Sequence, residues 1–587
     1  MEKLTSMLLI CVMVFSAFNG VNALNNTTNI TGGITNITNN NTFISNNTAN
    51  SQNSSVIYVS EDGNDENDGS SLKKSKKTIQ NAIDTVIDNG TVNITSGTYH
   101  EHLKINKKVA LINEGNYFDT APVIDGDYKD NTIVIGKDGD VYIKHIQLTH
   151  GSSTGLINHG TVYLYYDSII NTGKGVGIQN IGEMSIDGAH IEKNGNGIIN
   201  TGTLTIDKTH VQNNENNGII NTDKIIVNGS IISGNGNSGV VNNGTLIADD
   251  CSFLDNKGIG VDTIGSSKII HSLIQGNENS GISNKGTSTL IDSSIQYNEI
   301  YGSGGAGICN FGTLDIINTL IQYNTGVYGG GIYNNNKLTI VDSIINRNTA
   351  DLYGGGIYND GGVLNVTNSI ILLSESYYGG GIWSRGVLNI VNCEITKNKG
   401  KLSGGGIEGR GVLNIVNSTV MNNKAGNQVL FHGHGEGGGI LMDGDLKIIN
   451  CKIKNNRAGF GGGIYHTGNI LCLSIVDSEI TGNKVTEEGG GIYNTGNLKL
   501  KGVKVKNNFA WKGGGIYNTD GNIFKDDYTE IKGNWLRNIC KKKDRKKEVL
   551  FHPFHIFGNS LQQSKNQHPT PLSLYRSSQQ QKSASSI

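Results

Sequence analysis

Proline is nearly missing from this 587-residue chain: there are four, and three of them fall after position 550. Charge is sparse and balanced, with 48 Lys plus Arg against 50 Asp plus Glu, so no sequence-wide field favours nucleic acid or an anionic membrane. The apolar fraction of 36% lies below the usual globular range of about 45–50%. Cysteine is scarce as well: after Cys11 the remaining six stand far apart at 251, 309, 393, 451, 472 and 540. That spacing is neither a disulfide-dense module nor a CxxC metal site, and it reads as mostly single thiols. Beyond the N-terminal run no apolar stretch is long enough to cross a bilayer.

What the chain has instead is 82 Gly and 77 Asn, about 14% and 13%, where average usage of Gly is about 7%. Without proline or a Gly-X-Y period this is not collagen. Ile, Val and Leu recur evenly between the Gly and Asn residues, so the composition points to repeats.

The N-terminus reads as an export signal over 1–23: Lys3, an apolar run from Met7 to Phe18, and small residues before a cleavage site after Ala23. The run is about 12 residues, where spanning needs about 20. Residues 24–55 form an Asn/Thr/Ser-rich linker, expected to be disordered. Its sequons cluster at Asn25, Asn26, Asn29, Asn36, Asn40, Asn46 and Asn53, which fits an extracytoplasmic stalk. Residues 56–150 hold a cap and first coils: a short strand at Ile57-Tyr58-Val59, an acidic loop from Glu61 to Gly69, and one helix over Lys77–Asp88 whose apolar stripe would cover an open solenoid end.

From Gly155 the period is plain. Asn158, Asn180, Asn200, Asn221, Asn242, Asp262 and Asn284 follow at intervals of 20–22, and a second ladder runs through Asn235, Asn256, Asn277 and Asn298. Later units lengthen and gain a Gly triplet, GGGI, beginning at Gly329, Gly354, Gly379, Gly404, Gly437, Gly461, Gly489 and Gly513. Each unit has two or three alternating strands of a few residues and no room for a helix. The spacing predicts an all-β parallel β-helix over 151–535, with Asn stacked as amide ladders and Gly supplying positive φ at bends. Roughly sixteen repeat coils at about 4.8 Å would make a rod of about 80–90 Å. The register puts Cys251, Cys393 and Cys451 in one column with Ser343, Ser369 and Ser418. After Trp535 a basic run, Lys541 to Lys547, leads into a polar tail, so 536–587 reads as a disordered end, either a linker remnant or a break in reading frame.

The GGGIYN units and segments such as Gly-Val-Leu-Asn-Ile-Val-Asn-Ser (411–418) resemble right-handed parallel β-helix repeats of the pectin-lyase-like superfamily. They are especially similar to the repeats of polymorphic outer membrane proteins and of adhesin-like proteins of methanogenic archaea. The segment from Ile57 through Gly69, Lys77–Ile83 and Gly97-Thr98-Tyr99 looks like the N-terminal cap block of those proteins. The resemblance implies the fold over about 56–535 and says little of activity, because the superfamily holds lyases, hydrolases and non-enzymatic surface proteins.

Neither enzyme type has a full site. A hydrolase would need carboxylates on neighbouring coils; Asn221-Thr222-Asp223, Asp249-Asp250 and Gly433-His434-Gly435 are fragments, the last about nine coils from the others. A Ca²⁺-dependent lyase would need several carboxylates in a column and a Lys or Arg base, and no Asp or Glu column supports the ion. The loop Asp62–Gly69 reads as a polar turn, and His432, His434 and Glu436 as part of an enlarged loop. No cofactor or metal is expected, and the basic run lacks the aromatic interleaving of a nucleic-acid site.

The candidate binding residues are aromatic. Strand alternation sends Ile inward and the next residue outward, placing Tyr333, Tyr358 and Trp383 on successive coils. Tyr328, Tyr353 and Tyr378 precede the triplets as a second ladder. Exposed, they would form a platform for sugar rings; packed, they would only stiffen the loops. The expected protein is an exported, surface-associated, monomeric rod, adhesin-like, binding extracellular polysaccharide or cell-surface glycan. The alternative is a polysaccharide lyase or glycoside hydrolase with a divergent site.

Overall fold

The computed structural model describes residues 55–541 except 115–120, 167, 171, 303, 427–434 and 469–472. The expected signal, nearly all of the linker, and the tail from 542 lie outside these residues.

The repeats fold as a parallel β-solenoid, consistent with the pectin-lyase-like β-helix expected. Sheet 1 stacks 20 strands from Val56–Val59 to Ile523–Lys525. Sheet 2 stacks 19 from Thr98–His100 to Glu530–Lys532, and sheet 3 another 19 from Leu103–Ile105 to Ile539–Lys541. A strand spacing of about 4.8 Å makes such a stack roughly 90 Å long.

One late coil shows how sequence makes the turn. Lys337–Val341 lies in sheet 1 and Ile344–Asn346 in sheet 2. Thr349–Tyr353 then adds a strand to a smaller, seven-stranded sheet 4, and Ile357–Asn359 closes the coil in sheet 3. Alternation sends Leu338, Ile340, Ile345 and Ile357 inward, all fully buried. Each such side chain contributes about 1.5–3 kcal/mol by burial, so a thin apolar content suffices when every apolar residue repeats in register.

The corners differ from expectation. The chain turns out of sheet 1 at Asp342 (φ 51°) and out of sheet 2 at Arg347 (φ 50°), and the same two positions on other coils carry Asn368, Leu373, Asn417 and Asn422, all left-handed. Most of these corners are not Gly. Asn and Asp tolerate the left-handed region through local side-chain hydrogen bonds, and the stacked neighbours hold the rest there.

Both ladders are runs of amide hydrogen bonds inside the solenoid, broken where Thr263 stands in the first and Ser374 in the second. Asn158 Nδ2 donates to Asn180 Oδ1 (2.8 Å), and the chain runs on through Asn200, Asn221 and Asn242 at 2.7–2.8 Å. Asp262 does not belong to it: Thr263 is the register partner of Asn242 and Asn284. Even spacing by 21 residues hits 263, and Asp262 points outward to pair with Lys285 at 3.2 Å. The second ladder begins earlier and ends later than the four Asn first aligned, from Asn194 to Asn348 and, past Ser374, from Asn398 to Asn534. Each of these amides also takes a backbone N–H, as Asn235 Oδ1 does from Asn214 N at 3.2 Å, so a buried polar column is satisfied.

The helix is shorter than expected, Ile79–Thr85. Ile79, Ala82 and Ile83 are buried against the first strands of sheets 1 and 3. The Thr78 hydroxyl accepts from Asn81 N, and Glu101 accepts from Ile79 N (2.7 Å) and Gln80 N (2.9 Å), satisfying the free amides of the first turn. Cys251, Cys309, Cys393, Cys451 and Cys540 are buried free thiols.

Candidate functional site

The six aromatic residues come together, but not as an exposed ladder. Strand alternation does send the residue after GGGI away from the core. The first Gly of each triplet has φ near +60°, as Gly354 does at 63°, and this folds the preceding residue back over that outward side chain. Tyr358 and Trp383 are therefore 7% and 4% exposed, while Tyr328, Tyr333, Tyr353 and Tyr378 are half-buried. The covering rings come from two coils: Tyr358 lies 5.7 Å from both Tyr328 of the previous coil and Tyr353 of its own, and Tyr353 also lies 5.0 Å from Trp383 of the next, between centroids. Along the axis Tyr353 stacks between Tyr328 (5.9 Å) and Tyr378 (5.2 Å). The result is a two-layer aromatic block, each contact contributing about 0.5–1.5 kcal/mol beyond area burial.

One end of the block is open. Phe311, Tyr328, Tyr333, Tyr353, Tyr358 and Asp360 line a cleft of about 320 Å³, near the low end of the range of about 300–1,000 Å³ for ligand sites. The Tyr333 hydroxyl donates to Asp360 Oδ2 at 2.8 Å, and Arg385, from the next coil, forms an ion pair with the other carboxylate oxygen. Burial and then the Asp360 carboxylate push the Tyr333 and Tyr358 phenols upward, so both stay protonated donors. The cleft offers ring faces together with hydroxyl and carboxylate groups at one rim.

Asp360, Arg385 and Phe311 were missed by sequence reasoning. The signal was available: Asp360 and Arg385 follow the Asn/Ser of the repeat at the same coil position, 25 residues apart. Glu408 was missed too. It occupies the position of Trp383 one coil on and is 3% exposed, accepting from Ser403 Oγ at 2.6 Å. Burial raises its carboxyl to about 7 against the opposing pull of the Ser403 hydroxyl and the Trp383 indole. A second aromatic run continues at Tyr465, Tyr493 and Tyr517, with centroids 4.5 and 5.4 Å apart.

The enzyme fragments do not converge. Asp223 precedes the sheet 1 strand Lys224–Asn228, and Asp249 ends the neighbouring strand in register with Asn228, so the two acids lie roughly five residues, about 16 Å, apart along the sheet. Asp249 instead meets His271 Nδ1 at 2.8 Å. Gly433, His434 and His432 lie outside the described residues. In the acidic loop, Asp65 accepts from Lys77 N, Thr78 N and the Thr78 hydroxyl. Asp68 accepts from Ser70 and Lys74, which hold its carboxyl down at about 2. Asp65 thus ties the loop to the helix start, and Asp68 closes the loop's own end. No helix among the described residues is long and apolar enough to cross a membrane.

No family model and no curated protein matches the chain. Among solved structures it is similar to the crystal structure of pectate lyase Pel9A, with 15% identity over 58% of this chain and 78% of that one, and a TM-score of 0.25. It is also similar to a rhamnogalacturonan lyase, with 13% identity over 57% of this chain and 84% of that one, and a TM-score of 0.20. At these identities nothing is read from either about activity.

Proposed function

We propose that this chain is an exported, surface-associated β-helix protein that binds glycans, and that the aromatic cleft is where a sugar sits. The observation that supports this is the cleft itself: rings from three coils, with the Asp360 carboxylate and the Tyr333 hydroxyl at the rim. Sugars have apolar C–H faces and a ring of hydroxyls, and stacked aromatics flanked by fixed polar groups match both. The N-terminal signal and the Asn-rich stalk support placement outside the cell, and the adhesin-like reading rests on them.

A glycan array with the mature chain tests the reading, run beside Tyr328→Ala/Tyr353→Ala and Asp360→Asn variants. These positions spare the buried Tyr358 and Trp383, and far-UV spectra check that each variant keeps the solenoid fold. The expected result is a defined glycan class bound at least tenfold more weakly by both variants. Equal binding by native and variant chains removes the cleft. Incubation with uronate polymers is the second arm: release of unsaturated product would favour the lyase alternative.

A further inference from the structure

We propose that His100, Asp125, Asp127 and His150 form a binding site for one divalent transition-metal ion of the zinc class, on the first coils and far from the aromatic cleft. The four residues come from three successive coils. His100 ends one sheet 2 strand, Asp125 is its register partner on the next, and His150 follows Thr149, the partner of Asp125 on the third. Three of the four donors already converge, and His150 adjoins them through Asp125. Candidate ligand atoms of His100, Asp125 and Asp127 all lie within 4.8 Å of one another. His100 Nδ1 is 2.7 Å from Asp127 Oδ1, and His150 Nδ1 is 3.0 and 2.9 Å from the two Asp125 oxygens.

The backbone is shaped around this convergence. Asp127, Tyr128 and His150 are all left-handed, with φ of 50°, 55° and 50°. A Cβ on Gly126, between the two acids, would come within 2.8 Å of the His150 carbonyl, so only glycine lets the Asp-Gly-Asp turn seat against the coil that brings His150. Tyr128 N donates to that same carbonyl at 2.7 Å, and its ring lies over the His150 imidazole at 4.6 Å. Asp125, Asp127 and His150 are 13%, 30% and 32% exposed at the side chain, sheltered yet reachable by an ion.

The donor set selects the metal. Two imidazoles and two carboxylates suit a borderline ion that takes four ligands, whereas Ca²⁺ prefers six to eight oxygens. Bonds of about 2.0–2.1 Å in a tetrahedron separate the donors by roughly 3.3 Å, so each His–Asp contact needs to open by about half an ångström and the half-exposed His150 imidazole needs to turn in toward the remaining donors. The ion's two positive charges balance the two carboxylates, and Lys129, now 3.0 Å from Asp127 Oδ2 and mostly exposed, swings away. A bound ion would staple three coils together at the start of the solenoid.

The test is equilibrium dialysis of the untagged mature chain against Co²⁺, with Zn²⁺ as competitor, read by bound metal per chain and by the Co²⁺ ligand-field absorption. The expected result is one ion per chain, a tetrahedral band that Zn²⁺ abolishes, and at least tenfold weaker binding in His150→Ala and in the near-isosteric Asp127→Asn. A His210→Ala chain is the control: His190 and His210 meet edge to face at 4.8 Å elsewhere on sheet 2, and this variant keeps native binding. Far-UV spectra confirm that each variant is folded. No stoichiometric binding, a bound ion without the tetrahedral band, or native affinity in both folded variants overturns the proposal.

Discussion

The coils before residue 300 and those after residue 325 share a core and differ in what they do with their outer surface. In the early coils the repeat is 20–22 residues, and the outward column of sheet 3, Ile157, Gln179, Ile199, Ile220 and Val241, stays half-exposed. In the late coils a few added residues build sheet 4 and a Gly triplet, and the same column becomes Tyr358, Trp383 and Glu408, covered by the chain that precedes it. Inside, both regions keep the second Asn ladder and the same Ile and Leu positions. The minimal coil supplies the common core, and the residues added to it build the aromatic block and its cleft on the outside.

If the interior is common property, damage to it should be severe in either region. Phe253 is fully buried between Ile232 and Ile274 of neighbouring coils. Phe253→Ala should cost about 3–5 kcal/mol, and Ile395→Ala in a late coil about 2–5 kcal/mol, measured by urea denaturation. A cost confined to one region would break the comparison.

Glu408 sharpens it, because among the described residues it is the acid that the fold buries, and it stands in a late coil. Its folded value, about 7, is raised from 4.5. Below pH 4.5 both folded and unfolded chains are protonated there. Between 4.5 and about 7 the unfolded chain has released the proton while the folded chain keeps it, so stability falls as pH rises, and above 7 the loss is complete. At about 1.4 kcal/mol per unit the loss is on the order of 3 kcal/mol. Glu408→Gln should flatten this slope, and it should also remove a titration near pH 7 in the fluorescence of the adjacent Trp383. An unchanged slope would sink the assignment.

The turns into sheet 3 test the added residues directly. Gly354 has φ 63°, and a Cβ there would sit 2.2 Å from the Ile357 carbonyl. Gly354→Ala combines left-handed strain of about 1–2 kcal/mol with a backbone clash, so it should cost at least about 2 kcal/mol and loosen the Tyr353–Trp383 contact. Asn213→Ala, at an early corner with φ 54°, carries the strain alone, about 1 kcal/mol. Thermal melts with near-UV spectra separate the two.

What could be read from sequence was whatever repeats. The Asn ladders, the Ser and Cys column and the inward Ile residues recur at one spacing, so alignment alone put them in register. The failures share a cause: they depend on a residue's relation to another coil. Asp262 was taken for Thr263 because an uneven interval absorbed the error. Tyr358 and Trp383 looked exposed because alternation gives direction, while cover comes from a strand hidden in the lengthening of the repeat. The corners were assigned to Gly, yet Asn, Asp, Arg and Leu serve there because stacked neighbours hold the strain. His100, Asp125 and His150 stand 25 residues apart and match no spacing motif, since they meet only across coils.

The smallest effect expected is at Cys393. Its Sγ donates to the Val391 carbonyl at 3.1 Å and accepts from Ser369 N at 3.5 Å, while its own N–H goes to Ser418 Oγ at 3.0 Å. Ser418 makes the equivalent bond to Val416 at 2.7 Å, so the column already runs on serine on either side of the thiol. Cys393→Ser should keep every partner and change stability by no more than about 0.5 kcal/mol, and Cys251→Ser in an early coil should match it, because Ser272 and Ser230 flank that thiol in the same way. Burial raises both thiols, Cys251 to about 11, so neither should react with a thiol reagent until the chain unfolds. A loss above 1 kcal/mol at Cys393 alone would mean that the late coils are packed more tightly at their core as well as at their surface, and that the two regions differ inside.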